Sequence, residues 1–163
     1  MKLLESIEQA FQHVNHATPH ELRGKIVSLG LTAELAAPWI EEPDLLPYGR
    51  KVVYQTEDVE VIVVHLPAGT ETFIHDHGAS IGCAYVLEGR LTNRVYRLSR
   101  EGYAYEAGAS VIEQGQFLYA PQGQIHQMCN TGPHRMVSFH VYAPKLSGSK
   151  SFYTYEQVLD YVI

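Results

Sequence analysis

Three histidines stand in spaced motifs of turn-forming residues, and their side chains could together hold a metal ion. The motifs read Gly69-x5-His75-x-His77 and Gly115-x5-Pro121-x-Gly123-x2-His126-x3-Asn130. His75 and His77 are two residues apart, so both imidazoles would project from one face of a strand. Neutral imidazole binds iron, copper, zinc or nickel, and three protein ligands leave positions open for a substrate. The pattern therefore predicts an open metal site that could carry out chemistry.

Other histidines lack such a framework. Three that precede Glu21 stand among polar residues and are predicted to be solvated, whereas His65 lies in an apolar run and is predicted to be a hydrogen-bonded strand residue. The three histidines in the motifs also have an alternative without a metal: His75 and His77 would be a half-exposed pair on a strand, and His126 would be a turn residue.

The composition favours one globular domain that acts on a small molecule. The chain has 163 residues, of which 45% are hydrophobic, enough for a single core. Its formal charge is -6 and its lysines and arginines form no cluster, which argues against nucleic acid or an anionic membrane as the main partner. We therefore expect a single domain over 1–163 and a monomer.

The N-terminal sequence and the cysteines predict a cytoplasmic protein. Residues 1–8 are acidic and amphipathic rather than signal-like, and no apolar run approaches the length of a membrane span. Cys83 and Cys129 are not spaced as a zinc knuckle. We expect both thiols to be reduced, as is usual in the cytosol.

Local signals predict two to three helices in the N-terminal part of the chain. Apolar residues at intervals of three and four predict the first helix over about residues 3–15. A capping box between Thr18 and Glu21 predicts the start of the second helix, and Gly30 predicts its end. A third short helix is predicted at 32–37.

From about Arg50 onward the period of the apolar residues shifts towards two, with turn residues every eight to twelve positions, as in a sandwich or barrel. This change divides the chain into a helical part (1–45), a β-barrel with the metal site (46–144) and a tail (145–163). The predicted strands lie near 51–56, 59–66, 71–75, 81–88, 90–98, 110–113, 116–119, 126–130 and 135–142. The tail beyond residue 150 is ambiguous between a strand and a short helix.

The two histidine motifs resemble those of the cupin superfamily, and further residues resemble the cysteine dioxygenases of the bacterial, arginine-containing type. The resemblance covers residues 3–144. Its dioxygenase-specific parts are Tyr48-Gly49-Arg50, His75-Asp76-His77 with Ser80, and Ser138-Phe139-His140-Val141-Tyr142. It implies a mainly β cupin fold, a double-stranded β-helix or jelly-roll barrel with the N-terminal helices packed on it.

The same resemblance implies a reaction. Fe(II) would be held by His75, His77 and His126, and L-cysteine would be oxidised with O2 to cysteine sulfinic acid, with both oxygen atoms entering the product. The residues agree with this chemistry, because many cupins place a glutamate ligand at the position that Gly82 occupies here. Three neutral imidazoles leave a dication its full charge, which favours a thiolate donor and lowers the pKa of a coordinated thiol.

Arg50 is the expected ligand for the substrate carboxylate. A guanidinium grips a carboxylate in a fixed plane, which lysine cannot do, and Tyr48 would add a hydroxyl to the same pocket. From the residues alone, a surface salt bridge from Arg50 to Glu41, Glu42 or Asp44 is an equal alternative. The resemblance favours the role in substrate binding.

Ser138, His140 and Tyr142 alternate along one predicted strand, so their side chains face the same way. Ser138 would orient the imidazole of His140, which would fix the Tyr142 hydroxyl beside the substrate or oxygen. His140 is placed outside the metal's ligand set, because a fourth histidine would occupy a position that substrate and O2 need. The alternative is a polar row that serves stability alone.

Animal members of the family carry a cysteine that forms a thioether with the active-site tyrosine, but the matching residue here is Gly82. Cys83 is its neighbour, yet a step of one residue along a strand reverses the face. We therefore predict that Tyr142 is not cross-linked. The Ala143-Pro144 bond that follows could be cis or trans, which the sequence does not decide.

Other functions stay open on sequence alone. A dioxygenase for another small thiol, above all 3-mercaptopropionate, would share the chemistry, although that family typically has glutamine where this chain has Arg50. A metal-binding cupin without turnover is a different class, and the absence of a helix-turn-helix weakens a regulatory version of it. A zinc or manganese cupin, such as a sugar isomerase or an oxalate enzyme, is disfavoured by the missing glutamate ligand.

Overall fold

Helices come first along the chain and strands follow, in a computed structural model that describes residues 2–162. The helices are α1 (Leu3–Phe11), α2 (Pro19–Ser28), α3 (Ala33–Ala36), which a 3-10 turn over Ala37–Trp39 follows, and the late α4 (Tyr155–Val162). The strands are β1 (Gly49–Gln55), β2 (Glu60–Leu66), β3 (Ile74–His75), β4 (Ile81–Glu88), β5 (Arg90–Leu98), β6 (Ala104–Glu113), β7 (Phe117–Ala120), β8 (Ile125–Cys129), β9 (Met136–Ala143) and β10 (Ser151–Phe152). No helix in this range is long and apolar enough to cross a membrane.

The N-terminal helices begin where the capping signals predict. Thr18 Oγ1 accepts a hydrogen bond from Glu21 N at 3.2 Å, and Gly30 follows α2 with a φ of 58°, which glycine adopts without strain. Helix α1 is shorter than predicted and ends at Phe11. The apolar period continues beyond that point because Val14, which is outside the helix, is also buried in the core.

The strands form two five-stranded antiparallel sheets, ordered β1-β2-β9-β4-β7 and β10-β3-β8-β5-β6. Strand β2 is buried along its whole length because it has apolar neighbours on both faces. Val61 and Val63 contribute to the core beneath the helices, whereas Ile62 and Val64 contribute to the core inside the barrel. The architecture is therefore mainly β with the N-terminal helices packed on one sheet, as predicted.

Two predicted strands differ from the structure. Strand β6 begins at Ala104 rather than near residue 110. The prediction was too short because residues 105 to 111 are exposed on both faces and show no alternation. The strand predicted at 71–75 is reduced to β3, since the Thr72 hydroxyl, not a backbone carbonyl, accepts the hydrogen bond of Met128 N. The tail contains both of the alternatives left open, a two-residue strand β10 and helix α4.

A C-terminal segment, residues 144–152, returns across the mouth of the barrel and ends in β10, which pairs with β3. Asp76 N donates to Lys150 O at 3.0 Å, and Asp76 Oδ1 accepts from Lys150 N at 2.8 Å. Ser80 Oγ donates to Pro144 O at 2.7 Å, and the Ala143-Pro144 bond is cis. Gly78 permits the approach, because a Cβ at that position would lie 2.3 Å from Ser147 O. The segment is thus held against the loop that carries His77.

Cys83 and Cys129 are both buried and unpaired, as predicted for reduced thiols. Burial raises the pKa of Cys83 to about 12 and that of Cys129 to about 11. Both side chains are therefore neutral thiols at physiological pH and act as small core residues.

Candidate metal centre

His75, His77 and His126 converge inside the barrel. His75 and His126 lie opposite each other on β3 and β8, and the ligand nitrogens of the three rings all lie within 4.8 Å of one another. His126 Nε2 is 3.2 Å from His77 Nε2. Two nitrogens at that separation, each bound to one ion at about 2.1 Å, would subtend an angle of about 100° at it. That angle is close to those of tetrahedral and octahedral coordination, so the group can hold a metal ion.

Hydrogen bonds at Nδ1 aim two of the rings so that Nε2 faces the site. His75 Nδ1 donates to the Phe73 carbonyl at 2.7 Å, and His126 Nδ1 donates to Asn93 Oδ1 at 2.7 Å. Each bond places the imidazole proton on Nδ1 and leaves the lone pair on Nε2 for a metal. His77 Nδ1 is buried and has no hydrogen-bond partner among the residues that the structure describes.

Burial keeps the three imidazoles neutral. Burial, together with the neighbouring His75, lowers the pKa of His77 to about 4. Burial also lowers the pKa of His75, and it holds that of His126 well below its ordinary value, again with help from the adjacent rings. Neutral imidazole is the form that binds a metal ion, so no proton need be displaced at neutral pH.

The Tyr142 ring packs against Gly82, and no carboxylate side chain is present at that position of β4. Gly82 on β4 lies opposite Tyr142 on β9, and a Cβ at Gly82 would lie 2.9 Å from two carbons of the Tyr142 ring. A longer side chain at this position would therefore displace the ring. Cys83, one step along β4, faces the core beneath the helices instead. The donor set is thus three neutral nitrogens, which leave a divalent ion its full charge.

Asn93, the residue that orients His126, was not predicted from the sequence. Asn93 is 3% exposed on β5, where it lies two residues from Val95, the cross-strand neighbour of His126. Only the register between β5 and β8 identifies it, because its sequence context is an ordinary strand.

Replacing Asn93 by alanine is expected to weaken metal binding about 10- to 100-fold, since His126 loses the acceptor that fixes its ring. Competition with a chelator would measure the affinity. Asn93→Asp keeps an acceptor oxygen, so this variant is expected to retain most of the metal affinity. Equal affinities for the alanine variant and the unsubstituted chain would contradict this role.

A cavity of about 190 Å³ opens beside His75 and His77. That is less than the roughly 300 Å³ at which pockets for drug-sized ligands begin, so a small metabolite fits it better. Its polar walls include Tyr48, Arg50 and Tyr142, and its apolar walls include Ile62, Val64, Met128 and Leu146. The three residues predicted to bind substrate, Tyr48, Arg50 and Tyr142, therefore line the same cavity as His75 and His77.

Arg50 makes an ion pair that the sequence did not indicate. Its Nη2 lies 3.4 Å from Glu60 Oε2, and none of the acids considered in the sequence is its partner: Glu41 pairs with Lys51 instead, at 3.3 Å. Glu60 is ten residues further along the chain, on β2, where its own cross-strand neighbour is Gln55 and that of Arg50 is Val64. The alternative of a bond to Glu41, Glu42 or Asp44 was therefore wrong.

The predicted polar row is present on β9. His140 Nε2 lies 2.7 Å from Ser138 Oγ, and His140 Nδ1 lies 3.1 Å from the Tyr142 hydroxyl. Both ring nitrogens of His140 are thus engaged within the row rather than at the metal centre. Burial lowers the pKa of His140 to about 3 and raises the pKa of Tyr142. Both groups are neutral at physiological pH.

The remaining histidines behave as the sequence predicts. His65 Nδ1 hydrogen-bonds the Glu41 carbonyl at 2.8 Å, and the three histidines before Glu21 are exposed. They lie outside the cavity.

The fold is that of a double-stranded β-helix, or cupin, as solved structures bear out. A protein from Klebsiella pneumoniae with a double-stranded β-helix domain is 24% identical, with 72% of this chain and 93% of that chain covered at a TM-score of 0.57. The cupin domain of Cnp3 from Schizosaccharomyces pombe is 17% identical, with 61% of this chain and 66% of that chain covered at a TM-score of 0.53. KdgF from Halomonas is 21% identical, with 63% of this chain and 86% of that chain covered at a TM-score of 0.51. At these identities the similarity shows the fold alone.

Residues 43–155, more than half of the chain, match the family model of cysteine dioxygenase type I. The protein belongs to that family. Membership, together with the three-histidine group, indicates a metal-dependent thiol dioxygenase.

Proposed function

We propose that the protein oxidises L-cysteine with O2 to cysteine sulfinic acid, using Fe(II) held by His75, His77 and His126. The observation that carries the proposal is the position of Arg50 in the small cavity that His75 and His77 line. Bound Fe(II) would supply a redox-active Lewis acid at which a thiolate and O2 react. The sulfur supplies the electrons that reduce O2 and receives both oxygen atoms, so the reaction needs no external reductant.

Arg50 and Tyr48 are proposed to bind the substrate carboxylate. The Arg50 guanidinium has five N–H donors, and its contact with Glu60 engages only Nη2, so others remain for a carboxylate. Tyr48 stands two residues earlier and lines the same cavity. With the carboxylate held there, the thiol would be directed towards the histidines, which makes the encounter effectively intramolecular.

The row on β9 is proposed to control a proton at the Tyr142 hydroxyl. Ser138 Oγ would donate to His140 Nε2, and His140 Nδ1 would then donate to the Tyr142 oxygen. Because burial raises the pKa of Tyr142, its hydroxyl keeps its proton and can donate it towards the bound substrate or oxygen. Because position 82 is glycine rather than cysteine, we propose that Tyr142 stays free of a thioether cross-link.

Oxygen consumption by the iron-loaded protein tests the proposal. L-cysteine, D-cysteine, 3-mercaptopropionate and cysteamine would be compared, with products identified by mass. Sulfinate formed in proportion to the O2 consumed, and preferentially from L-cysteine, is the expected result. Preference for 3-mercaptopropionate would keep the chemistry but change the substrate. Absence of turnover with every thiol, despite bound iron, would reject the proposal in favour of a non-catalytic or other-metal cupin.

Replacing Arg50 by glutamine is expected to lower kcat/KM for L-cysteine about 10- to 100-fold, the value of a charge-assisted hydrogen bond. Iron content should stay unchanged, because Arg50 is not among the candidate ligands. Lys51→Gln is the matched control, since it removes the next cation along β1, which pairs with Glu41 instead. A parallel loss of iron and activity in Arg50→Gln would show that Arg50 is structural.

A further inference from the structure

Glu60 is a buried acid at the start of β2, with 4% of its surface exposed. Its carboxylate accepts hydrogen bonds from three donors, Gln55 Nε2 at 2.7 Å, Leu146 N at 3.2 Å and Arg50 Nη2 at 3.4 Å. A buried carboxylate is costly unless such partners compensate it. Gln55 and the Leu146 amide therefore fix the carboxylate in place, whether or not Arg50 is engaged.

This fixed carboxylate joins two walls of the cavity. Arg50 comes from β1 and Leu146 from the C-terminal segment, and both line the cavity beside the metal centre. Among the residues whose side chains the structure describes, Glu60 is the one that hydrogen-bonds the Arg50 guanidinium. The Arg50 side chain is 36% exposed, so without Glu60 it would have room to leave the cavity.

We propose that Glu60 is a positioning residue that aims Arg50 at the substrate carboxylate and so makes the site selective for thiols that carry one. The inference rests on the proposed function of Arg50. A free arginine side chain loses rotamer entropy when it is held in one orientation on binding. Glu60 holds Nη2 before the substrate arrives, which leaves the other edge of the guanidinium to form the new hydrogen bonds.

A competing role for Glu60 predicts the opposite change in the affinity for L-cysteine when Glu60 is removed. If Glu60 only neutralised Arg50 and competed with the substrate for it, its removal would strengthen binding of a carboxylate-bearing thiol. If Glu60 aims Arg50, its removal weakens that binding. A thiol without a carboxylate, such as cysteamine, does not use Arg50 and should bind equally well in either case.

The test is calorimetric titration of the iron-loaded protein with L-cysteine and with cysteamine in the absence of O2. Glu60→Gln, which keeps the shape of the side chain, is expected to raise the Kd of L-cysteine about tenfold and to leave that of cysteamine within about twofold. The matched control is Glu57→Gln. Glu57 pairs with Lys145 at 2.9 Å, next to Leu146, and so tests the loss of an acid that also anchors the C-terminal segment. It should leave both Kd values unchanged.

A double-mutant cycle separates positioning from general support of the fold. In an Arg50→Gln background, Glu60→Gln is expected to cause no further loss of L-cysteine affinity, because the residue through which it acts is gone. Tighter L-cysteine binding by Glu60→Gln, equal losses for both thiols, or additive effects in the double variant would each overturn the inference.

The failure of this inference can be told apart from failure of the proposed function. Because the titrations exclude O2, lack of turnover in the unsubstituted chain would count against the dioxygenase proposal alone. An Arg50→Gln chain with unchanged L-cysteine affinity would reject the proposed carboxylate ligand. If Arg50→Gln weakens L-cysteine binding but Glu60→Gln does not, only the positioning role of Glu60 is rejected.

Discussion

A chain in which His126 is replaced by alanine is expected to lose its metal and, with it, all measurable oxidation of thiols. His126 is 1% exposed, and its Nε2 lies 3.2 Å from that of His77. Structural zinc sites with four ligands bind with about 10 to 16 kcal/mol, or roughly 2.5 to 4 kcal/mol per ligand. Loss of one ligand should therefore weaken metal binding by about 100- to 1000-fold. Metal content by elemental analysis and O2 consumption would measure the two effects.

His65→Ala is the matched control for this substitution. His65 is also a buried strand histidine, at 4% exposure, but its Nδ1 hydrogen-bonds the Glu41 carbonyl and not a neighbouring imidazole. Its loss should lower the free energy of unfolding while the metal content stays the same. A His126→Ala chain that keeps its metal and its activity would refute the assignment of this residue as a ligand.

Replacing Tyr142 by phenylalanine is expected to lower kcat by at least about a hundredfold while metal content and the Kd of L-cysteine change little. The ring would keep its packing 4.9 Å from the His77 ring, but the hydroxyl next to His140 Nδ1 would be lost. A positioned proton donor accelerates a reaction by about 10²- to 10⁴-fold, so loss of the hydroxyl should lower kcat by a factor in that range. Single-turnover oxidation of bound L-cysteine would measure it separately from substrate binding.

Tyr119→Phe provides the comparison for a tyrosine hydroxyl outside the cavity. The Tyr119 hydroxyl accepts a hydrogen bond from Arg23 Nη1 at 2.7 Å, and its removal should leave kcat unchanged. An unchanged kcat in Tyr142→Phe, or a loss of metal in that variant, would instead show that the row on β9 serves the stability of the site.

Much of the fold could be predicted because its signals are local. The bounds of β4 and β5 match the predicted strands, and the capping box at Thr18 marks the start of α2, since alternation and capping act over a few residues. Strand β6 was predicted too short because its exposed residues lack alternation and it is defined by pairing with β5. Such pairing is not encoded in any short stretch of sequence.

The same distinction applies to the candidate site. His75, His77 and His126 were predicted because their glycine and proline spacing is itself the motif, and the structure brings them together. Asn93 and Glu60 were not predicted. Each acts across a strand pairing, Asn93 on His126 and Glu60 on Arg50, so its role depends on register rather than on neighbours in the chain.

The C-terminal segment gives the cavity a wall that can open by local unfolding. β10 is only two residues long, and the segment is otherwise held by contacts at four places: Asp76 with Lys150, Ser80 with Pro144, Glu60 with Leu146 and Glu57 with Lys145. A hydrogen bond of this kind contributes about 1 kcal/mol net, and an exposed ion pair about as much or less. Strand β2, by contrast, is buried along its whole length between two cores. Detaching the segment therefore costs far less free energy than unfolding the barrel, and the two sides of the cavity differ in dynamics as well as in position.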